Sequence, residues 1–254
     1  MLINGRLKED IIYADNGFFF GEGLFETMRV SNNSILFLEE HLERINSGLK
    51  ILGINKKMSK EYIINSAEKL KCRDGVLKLA VSEKNDIVVC RDNNYTEDMY
   101  SRGFKLKISK LRRNKYSIIT YLKSLNYLDN ILEHRRCKEE GYDEVLFLNL
   151  EDEITEGSIS NVFFIRDKKI YTPSVDCGLL DGTIRKYILK NYSVVQGKFT
   201  KENLIEADEI FLTNSVMGIM PVCQFENIFF EEKVLTCSIM STYSSYVKGL
   251  YQRG

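Results

Sequence analysis

The sequence predicts an α+β protein built as two units. Three observations carry that expectation. Strand-like and helix-like stretches alternate through the first part of the chain, a basic and non-periodic stretch (Lys110-Leu-Arg-Arg-Asn-Lys115) interrupts them, and a second mixed set follows. The expected division is a small α/β unit over residues 1–110, a linker over 111–116 and a larger unit over 117–254. A chain of 254 residues is long enough for two modest units.

Each element follows from its pattern. Asn4-Gly5 supplies the turn of a hairpin within residues 1–13, and Leu24-Phe-Glu-Thr-Met-Arg-Val30 reads as a strand that ends at Ser31-Asn-Asn33. Leu38, Leu42, Ile45, Leu49 and Leu52 recur at steps of four and three, which places one apolar stripe along a helix closed by Gly53. A second helix over 59–71 and strands at Val76–Ser82, Asp86–Cys90 and Phe104–Lys110 make a small sheet covered by two helices. Ser117–Leu122 is mostly apolar and predicts a strand running directly into a helix over 126–140, with Leu128, Ile131 and Leu132 on its apolar side and Gly141 as its stop. Glu144-Val-Leu-Phe-Leu-Asn-Leu150 predicts a buried strand, and Asn161–Arg166 pairs with Lys169–Thr172 through the turn Asp167-Lys168. Asp181 stands where it would cap a helix over 183–191. Strands at Glu209–Thr213 and around Cys223–Phe230, then a helix over 235–251, complete the chain.

Composition narrows the class of partner. Lys plus Arg and Asp plus Glu number 36 each, so no basic excess points to nucleic acid and no acidic excess to disorder. The expected partner is a small molecule. The six cysteines (72, 90, 137, 177, 223 and 237) lie far apart without a C-x-x-C pair or a His/Cys set spaced for zinc, and they read as free thiols with no metal site. No apolar signal core opens the chain and no run approaches the roughly 18 apolar residues of a membrane span, so a cytoplasmic, membrane-free protein is expected.

The chemistry is concentrated between Lys123 and Arg185. Lys123-Ser-Leu-Asn-Tyr-Leu-Asp-Asn130, Glu156-Gly-Ser-Ile-Ser-Asn161 and Gly178-Leu-Leu-Asp-Gly-Thr-Ile-Arg185 offer in turn an amine, an acid and a helix start. Pyridoxal phosphate calls for those three groups. Its aldehyde condenses with a lysine amine, which can then serve as general base and general acid; its ring nitrogen needs an anion beside it to stay protonated; its phosphate suits free N–H groups at a helix N-terminus.

With Gly21-Glu-Gly-Leu-Phe-Glu-Thr27, His41-Leu-Glu-Arg44, Tyr171-Thr-Pro173 and Thr213-Asn-Ser-Val-Met-Gly-Ile-Met-Pro-Val222, these segments form a collinear set over nearly the whole chain. The set resembles the fold-type IV pyridoxal-phosphate enzymes, which include branched-chain aminotransferases, D-amino-acid aminotransferases and aminodeoxychorismate lyases. The resemblance implies a D-amino-acid-aminotransferase-like fold, a small α/β sandwich domain plus a larger pseudo-barrel domain, with pyridoxal 5'-phosphate as cofactor. It makes Lys123 the Schiff-base and catalytic lysine, Tyr127 the partner of the cofactor's phenolic oxygen and Glu156 the partner of its ring nitrogen. Arg44, Thr183, Ile184 and Ser215 become the phosphate contacts, and His41 a structural histidine on the Arg44 helix. Lys78 and Asn214 are candidate substrate contacts, whereas Arg112 and Arg113 read as a solvated basic loop. A homodimer is implied.

Within the family the chain looks most like the aminodeoxychorismate lyases, on Thr213-Asn-Ser-Val-Met217, Gly75-Val-Leu-Lys-Leu79 and Met220-Pro-Val222. The implied reaction eliminates pyruvate and leaves 4-aminobenzoate. Glu26 departs from that pattern, since some lyases of the group carry threonine there and some aminotransferases glutamate. Transamination of D-amino acids or branched-chain L-amino acids is therefore the second reading.

Overall fold

In the computed structural model, which describes residues 1–7 and 11–251, the chain divides near residue 94. One unit holds residues 1–94, the short return segment 122–127 and the end of the chain from Val247. Its strands are β1 (Leu2–Ile3), β2 (Arg6–Leu7), β3 (Gly23–Ser31), β4 (Ser34–Ile35), β5 (Gly75–Ser82) and β6 (Asp86–Arg91); its helices are α1 (Asn16–Phe20), α2 (Leu38–Ile51) and α3 (Lys60–Lys69). The sheet runs β2-β1-β6-β5-β3-β4 with every neighbour antiparallel. Its core forms where the α2 stripe (Leu38, Leu42, Ile45, Leu49) meets Leu24, Met28, Leu77 and Leu79. Each such side chain contributes about 1.5–3 kcal/mol when fully buried. Asn32 and Asn33 both take positive φ in the β3–β4 hairpin, which is why a short polar pair, tolerant of that region, stands there.

β4 is so short that the beginning of β3 has an open edge, and the return segment occupies it. The Phe25 N–H donates to Lys123 O at 2.8 Å and the Leu125 N–H to Gly23 O at 2.9 Å. The strand expected over 117–122 is absent. Ile118–Tyr121 is a single 3-10 turn, tied down by Thr120 Oγ1 donating to Asn114 O and the Tyr121 hydroxyl to Lys115 O. Extended pairing is displaced to residues 123–125.

The other unit (residues 95–121 and 128–246) is a nine-stranded sheet with helices. In chain order its elements are α4 (Glu97–Arg102), β7 (Phe104–Arg113), α5 (Leu128–Glu139), β8 (Glu144–Asn149), β9 (Ile154–Gly157), β10 (Asn161–Arg166), β11 (Lys169–Pro173), α6 (Thr183–Asn191), β12 (Val194–Gly197), α7 (Lys201–Ile205), β13 (Glu209–Asn214), β14 (Gly218–Phe225), β15 (Ile228–Phe229) and α8 (Val234–Tyr251). The order is β12-β11-β10-β13-β14-β7-β8-β9, with β15 on β14; β7 is parallel to both its neighbours. β9 also packs against β10 and β11, so the sheet curls back on itself. Asp167 and Lys168 turn the β10–β11 hairpin with positive φ, as their position between two apolar runs predicts.

Four sequence expectations are corrected. Phe104–Lys110 lies in the nine-stranded sheet, because Phe104 and Leu106 pack with Leu146, Leu148 and Val222, so the first unit ends before residue 110. β7 continues to Arg113, so much of the stretch expected as linker is strand. α5 buries Asn130, Glu133 and Cys137 and leaves Leu128, Ile131 and Leu132 outward, because its inner contacts are polar: Asn130 donates to Ser158 O and Ser109 donates to Glu133. Cys72 and Cys90 are joined in a disulfide, leaving Cys137, Cys177, Cys223 and Cys237 as the free thiols. Among the described residues, no helix is long and apolar enough to cross a membrane and no cluster of His, Cys, Asp or Glu could hold a metal ion.

Candidate active site

Lys123 extends from the segment paired to β3, where Phe25 is its strand neighbour. Its Nζ stands 4.4 Å from the centre of the Phe25 ring and 5.6 Å from that of Tyr127, and the two rings meet edge to face at 5.0 Å. An ammonium on such faces is held by the ring quadrupoles at little cost in hydration. Tyr127 precedes α5 and sits in a turn whose N–H donates to Leu125 O, so a shared helix face does not explain its spacing from Lys123. The Phe25 ring brings the two together. Lys78, opposite Thr27 in the β3–β5 register, also lies over that ring at 4.9 Å. Partial burial, reinforced by the charge of Arg91, holds its pKa below the ordinary lysine value.

Alternation along β3 turns Glu26 toward α2. There Arg44 Nε and Nη2 donate to its two carboxylate oxygens at 2.7 and 2.6 Å, and His41 Nδ1 lies 2.6 Å from Oε2. His41 and Arg44 reach the same carboxylate because positions three apart share a helix face. Glu26 is 1% exposed. Burial opposes its charge, but the Arg44 and His41 charges and their hydrogen bonds outweigh that and hold the carboxyl far below its ordinary range.

The second unit carries the acid and the helix start. Glu156, buried near the end of β9, accepts a hydrogen bond from the Leu180 N–H at 3.1 Å and a longer one from Asn161 Nδ2 at 3.4 Å. Arg113 Nη2 is 3.6 Å from its other oxygen. The Arg113 guanidinium is stacked 4.1 Å from the Phe147 ring centre, and its Nη1 donates to Asn130. Each of these groups presents an N–H to the carboxylate.

Asn161 also donates to Leu180 O at 2.8 Å, holding the approach to α6, and a Cβ at Gly182 would collide with its Oδ1. Gly182 is the N-cap and, among the described residues, no side chain caps α6, so the N–H groups of its first turn, at Thr183 and Ile184, suit an outside acceptor. Asp181 does not cap; it accepts from Arg185 Nη1 at 2.7 Å. Asn161 is register partner of Thr213, so the β13–β14 turn bearing Asn214 and Ser215 stands at the same end of the sheet. Asn214 Oδ1 accepts from the Val216 and Met217 N–H groups and its Nδ2 donates to Ile159 O. That side chain holds the turn. The Thr213 hydroxyl is buried with no hydrogen-bond partner among the described residues.

An aromatic-walled amine, a donor-held carboxylate and an uncapped helix are groups that suit a phosphorylated aldehyde. The class IV amino-transferase family profile matches residues 23–225, which includes every one of them. The chain belongs to that family. An aminodeoxychorismate lyase of Bacillus subtilis is 30% identical over 98% of this chain and 94% of its own length. A D-alanine aminotransferase of Bacillus licheniformis is 28% identical, covering 89% and 88% of the two chains. The crystal structure of a 4-amino-4-deoxychorismate lyase from Pseudomonas aeruginosa superposes with a TM-score of 0.84 at 25% identity, over 95% of this chain and 97% of the other.

The two-domain fold of this family is the architecture described above. Lys123, Tyr127, Lys78 and Arg44 lie in the first unit, and Glu156, Thr183, Ile184, Asn214 and Ser215 in the second. Sequence reasoning missed two residues that face Glu156. Arg113 reads as a solvated charge until β7 places it over Phe147 beside Glu156, and Asn161 reads as the first residue of a strand. The one available signal for Asn161 was its polarity at the head of an otherwise apolar run.

Proposed function

We propose that the protein is a pyridoxal-phosphate-dependent 4-amino-4-deoxychorismate lyase that eliminates pyruvate and forms 4-aminobenzoate for folate biosynthesis. The likeness to the Bacillus subtilis lyase along almost the full length of both chains carries this reading. The residues fit the cofactor. Glu156 is a buried acidic acceptor met by N–H donors, which suits a protonated ring nitrogen; the start of α6 and the Thr213 hydroxyl, neither of which has a side-chain partner among the described residues, suit a phosphate; and the Gly182–Asn161 contact leaves no room for a side chain at the cradle.

When bound, the cofactor supplies an electron sink. Lys123 and Glu156, with Arg44, Tyr127, Thr183, Ile184 and Ser215, are proposed to hold it. Lys123 Nζ is the base that takes the C4 proton of the substrate and the acid that returns a proton to the departing enolpyruvyl group, which leaves as pyruvate while the ring becomes aromatic. Aromatisation supplies much of the drive, so the protein's main task is orientation. Lys78, whose pKa is lowered by partial burial and by the charge of Arg91, is the proposed contact for a substrate carboxylate. Asn214, whose side chain holds its turn, is the second proposed substrate contact.

A homodimer in the cytoplasm is part of this proposal. Phe18, Phe19 and Phe20 on α1 are 72%, 63% and 73% exposed, with Ile11, Ile12 and Tyr13 exposed just before them. An apolar patch of that kind is normally covered by a partner, here a second copy. The Cys72–Cys90 disulfide is unusual in a reducing compartment, which makes the state of those thiols a direct test of location.

The likeness to the D-alanine aminotransferase and the presence of Glu26 keep transamination as the second reading. Purified protein supplied with pyridoxal phosphate is expected to convert aminodeoxychorismate to 4-aminobenzoate, read by fluorescence, with an equal amount of pyruvate. Keto acid formed from D-alanine or L-leucine without any 4-aminobenzoate would overturn the lyase reading.

A further inference from the structure

The loop that follows Glu156 is wrapped around a second, more deeply buried carboxylate. Glu144, the first residue of β8, is 1% exposed. Its Oε1 accepts from the Val145 N–H at 2.9 Å, the Ser158 N–H at 3.2 Å and the Ser158 hydroxyl, with His134 Nδ1 at 3.4 Å. Its Oε2 accepts from the Ile159 N–H at 3.2 Å and the Ser160 hydroxyl at 2.8 Å. Four of these donors belong to three consecutive residues, 158–160, directly between Glu156 and Asn161. Gly157 lets the loop close: its N–H donates to Ser160 O at 2.7 Å, and a Cβ there would strike the Ser160 hydroxyl.

The same loop is tied to the partners of Glu156. Ser158 O accepts from Asn130 Nδ2 at 2.6 Å, Asn130 Oδ1 accepts from Arg113 Nη1 at 3.0 Å, and Arg113 Nη2 faces Glu156. At the other end Asn161 reaches both Glu156 and Leu180 O. An unbroken chain of polar contacts therefore runs from Glu144 through Ser158, Asn130 and Arg113 to Glu156, all within the second unit. His134 also hydrogen-bonds the Ser158 hydroxyl at 2.8 Å, so it steadies the same knot from α5.

We propose that Glu144 is a positioning residue whose ionised carboxylate gathers the 158–160 loop and thereby sets the place of Glu156 and its Arg113 and Asn161 partners. It touches no reacting group. An acceptor with two oxygens and no hydrogen is what this loop demands, since every group aimed at it is a donor. An amide would present its own N–H₂ to one set of those donors and leave them buried without an acceptor. Burial disfavours the charge, but the His134 interaction and the hydrogen bonds from Ser158 and Val145 outweigh it and lower the Glu144 pKa, in keeping with a permanent anion.

The proposal rests on the reading of Glu156 as a cofactor contact, and the experiment separates the two. Glu144→Gln is compared with Glu209→Gln, which removes the carboxylate that accepts from the Leu235 and Thr236 N–H groups at the start of α8 in the same unit and so reports simple loss of stability. In cofactor-free protein, amide exchange at Ser158 and Ile159 should accelerate at least about tenfold in Glu144→Gln and change less than about twofold in Glu209→Gln. Equilibrium affinity for pyridoxal phosphate, followed by absorbance, should fall roughly tenfold in the first variant only. Ser160→Ala, which keeps the charge and loses one donor, should shift both readouts the same way by a smaller factor, and it serves if Glu144→Gln does not fold. Unchanged exchange at 158–159, or an affinity within twofold of wild type, would overturn the proposal. Wild-type protein that does not bind pyridoxal phosphate would instead sink the reading of the site, while the exchange result still decides whether Glu144 anchors the loop.

Discussion

Glu26 shows how one residue type acquires a meaning the sequence does not print. In a strand of apolar neighbours it is a misplaced charge; against α2 it is the anion that orients His41 and Arg44. Because its folded-state pKa lies below the ordinary value of 4.5, its contribution is complete above that value and disappears as pH falls below it. Melting temperature is therefore expected to drop as pH is taken from 6 down to about 3, and Glu26→Gln should flatten that acid limb. At neutral pH the same substitution removes the buried charge that Arg44 and His41 share and is expected to cost about 3 kcal/mol in urea unfolding. Lys123 behaves differently. Its carbonyl, which any residue supplies, holds the Phe25 N–H, so Lys123→Ala should melt near wild type while losing at least about 10²-fold in kcat, read as 4-aminobenzoate formation. A variant that kept near-wild-type turnover would remove Lys123 from the chemistry.

At the scale of elements, the helices with one clean apolar stripe were legible and those anchored by polar side chains were not. α2 starts and ends where Leu38 and Gly53 place it. α5 carries Leu128, Ile131 and Leu132 at helical spacing but turns them outward, because Asn130 and Glu133 find buried partners on the other side. Periodicity reports where apolar residues sit, not which face other polar groups have claimed. α6 carries the testable consequence. Gly182→Ala should push Asn161 away, displace the first turn of the helix and cost about 1–3 kcal/mol by overpacking. If that turn holds the phosphate, affinity for pyridoxal phosphate should fall more than affinity for pyridoxal; equal losses would remove α6 from the phosphate site.

Two predictions belong to the whole molecule. The disulfide closes a loop of sequence separation 18, so reduction or Cys90→Ser should lower stability by about 3 kcal/mol. Unfolded without reductant, the chain should show four titratable thiols of its six cysteines. The exposed aromatic patch predicts association, and Phe19→Glu should shift the sedimentation coefficient from dimer to monomer with the fold retained. A monomeric wild type would remove the patch from consideration as an interface.

The order of segments, an amine at Lys123, an acid at Glu156 and a helix start at Gly182, was determined by the sequence alone, because each is a local motif whose chemistry depends on residue type and spacing. So were the apolar stripe of α2 and the β10–β11 pairing, where hydrophobic period and turn residues agree. Tertiary structure decided the rest. It moved Phe104–Arg113 into the second sheet, paired Cys72 with Cys90, made Arg113 a partner of Glu156 and closed residues 158–160 around Glu144. Each of those outcomes joins residues from different elements, and a buried charge declares its purpose only when its partner arrives.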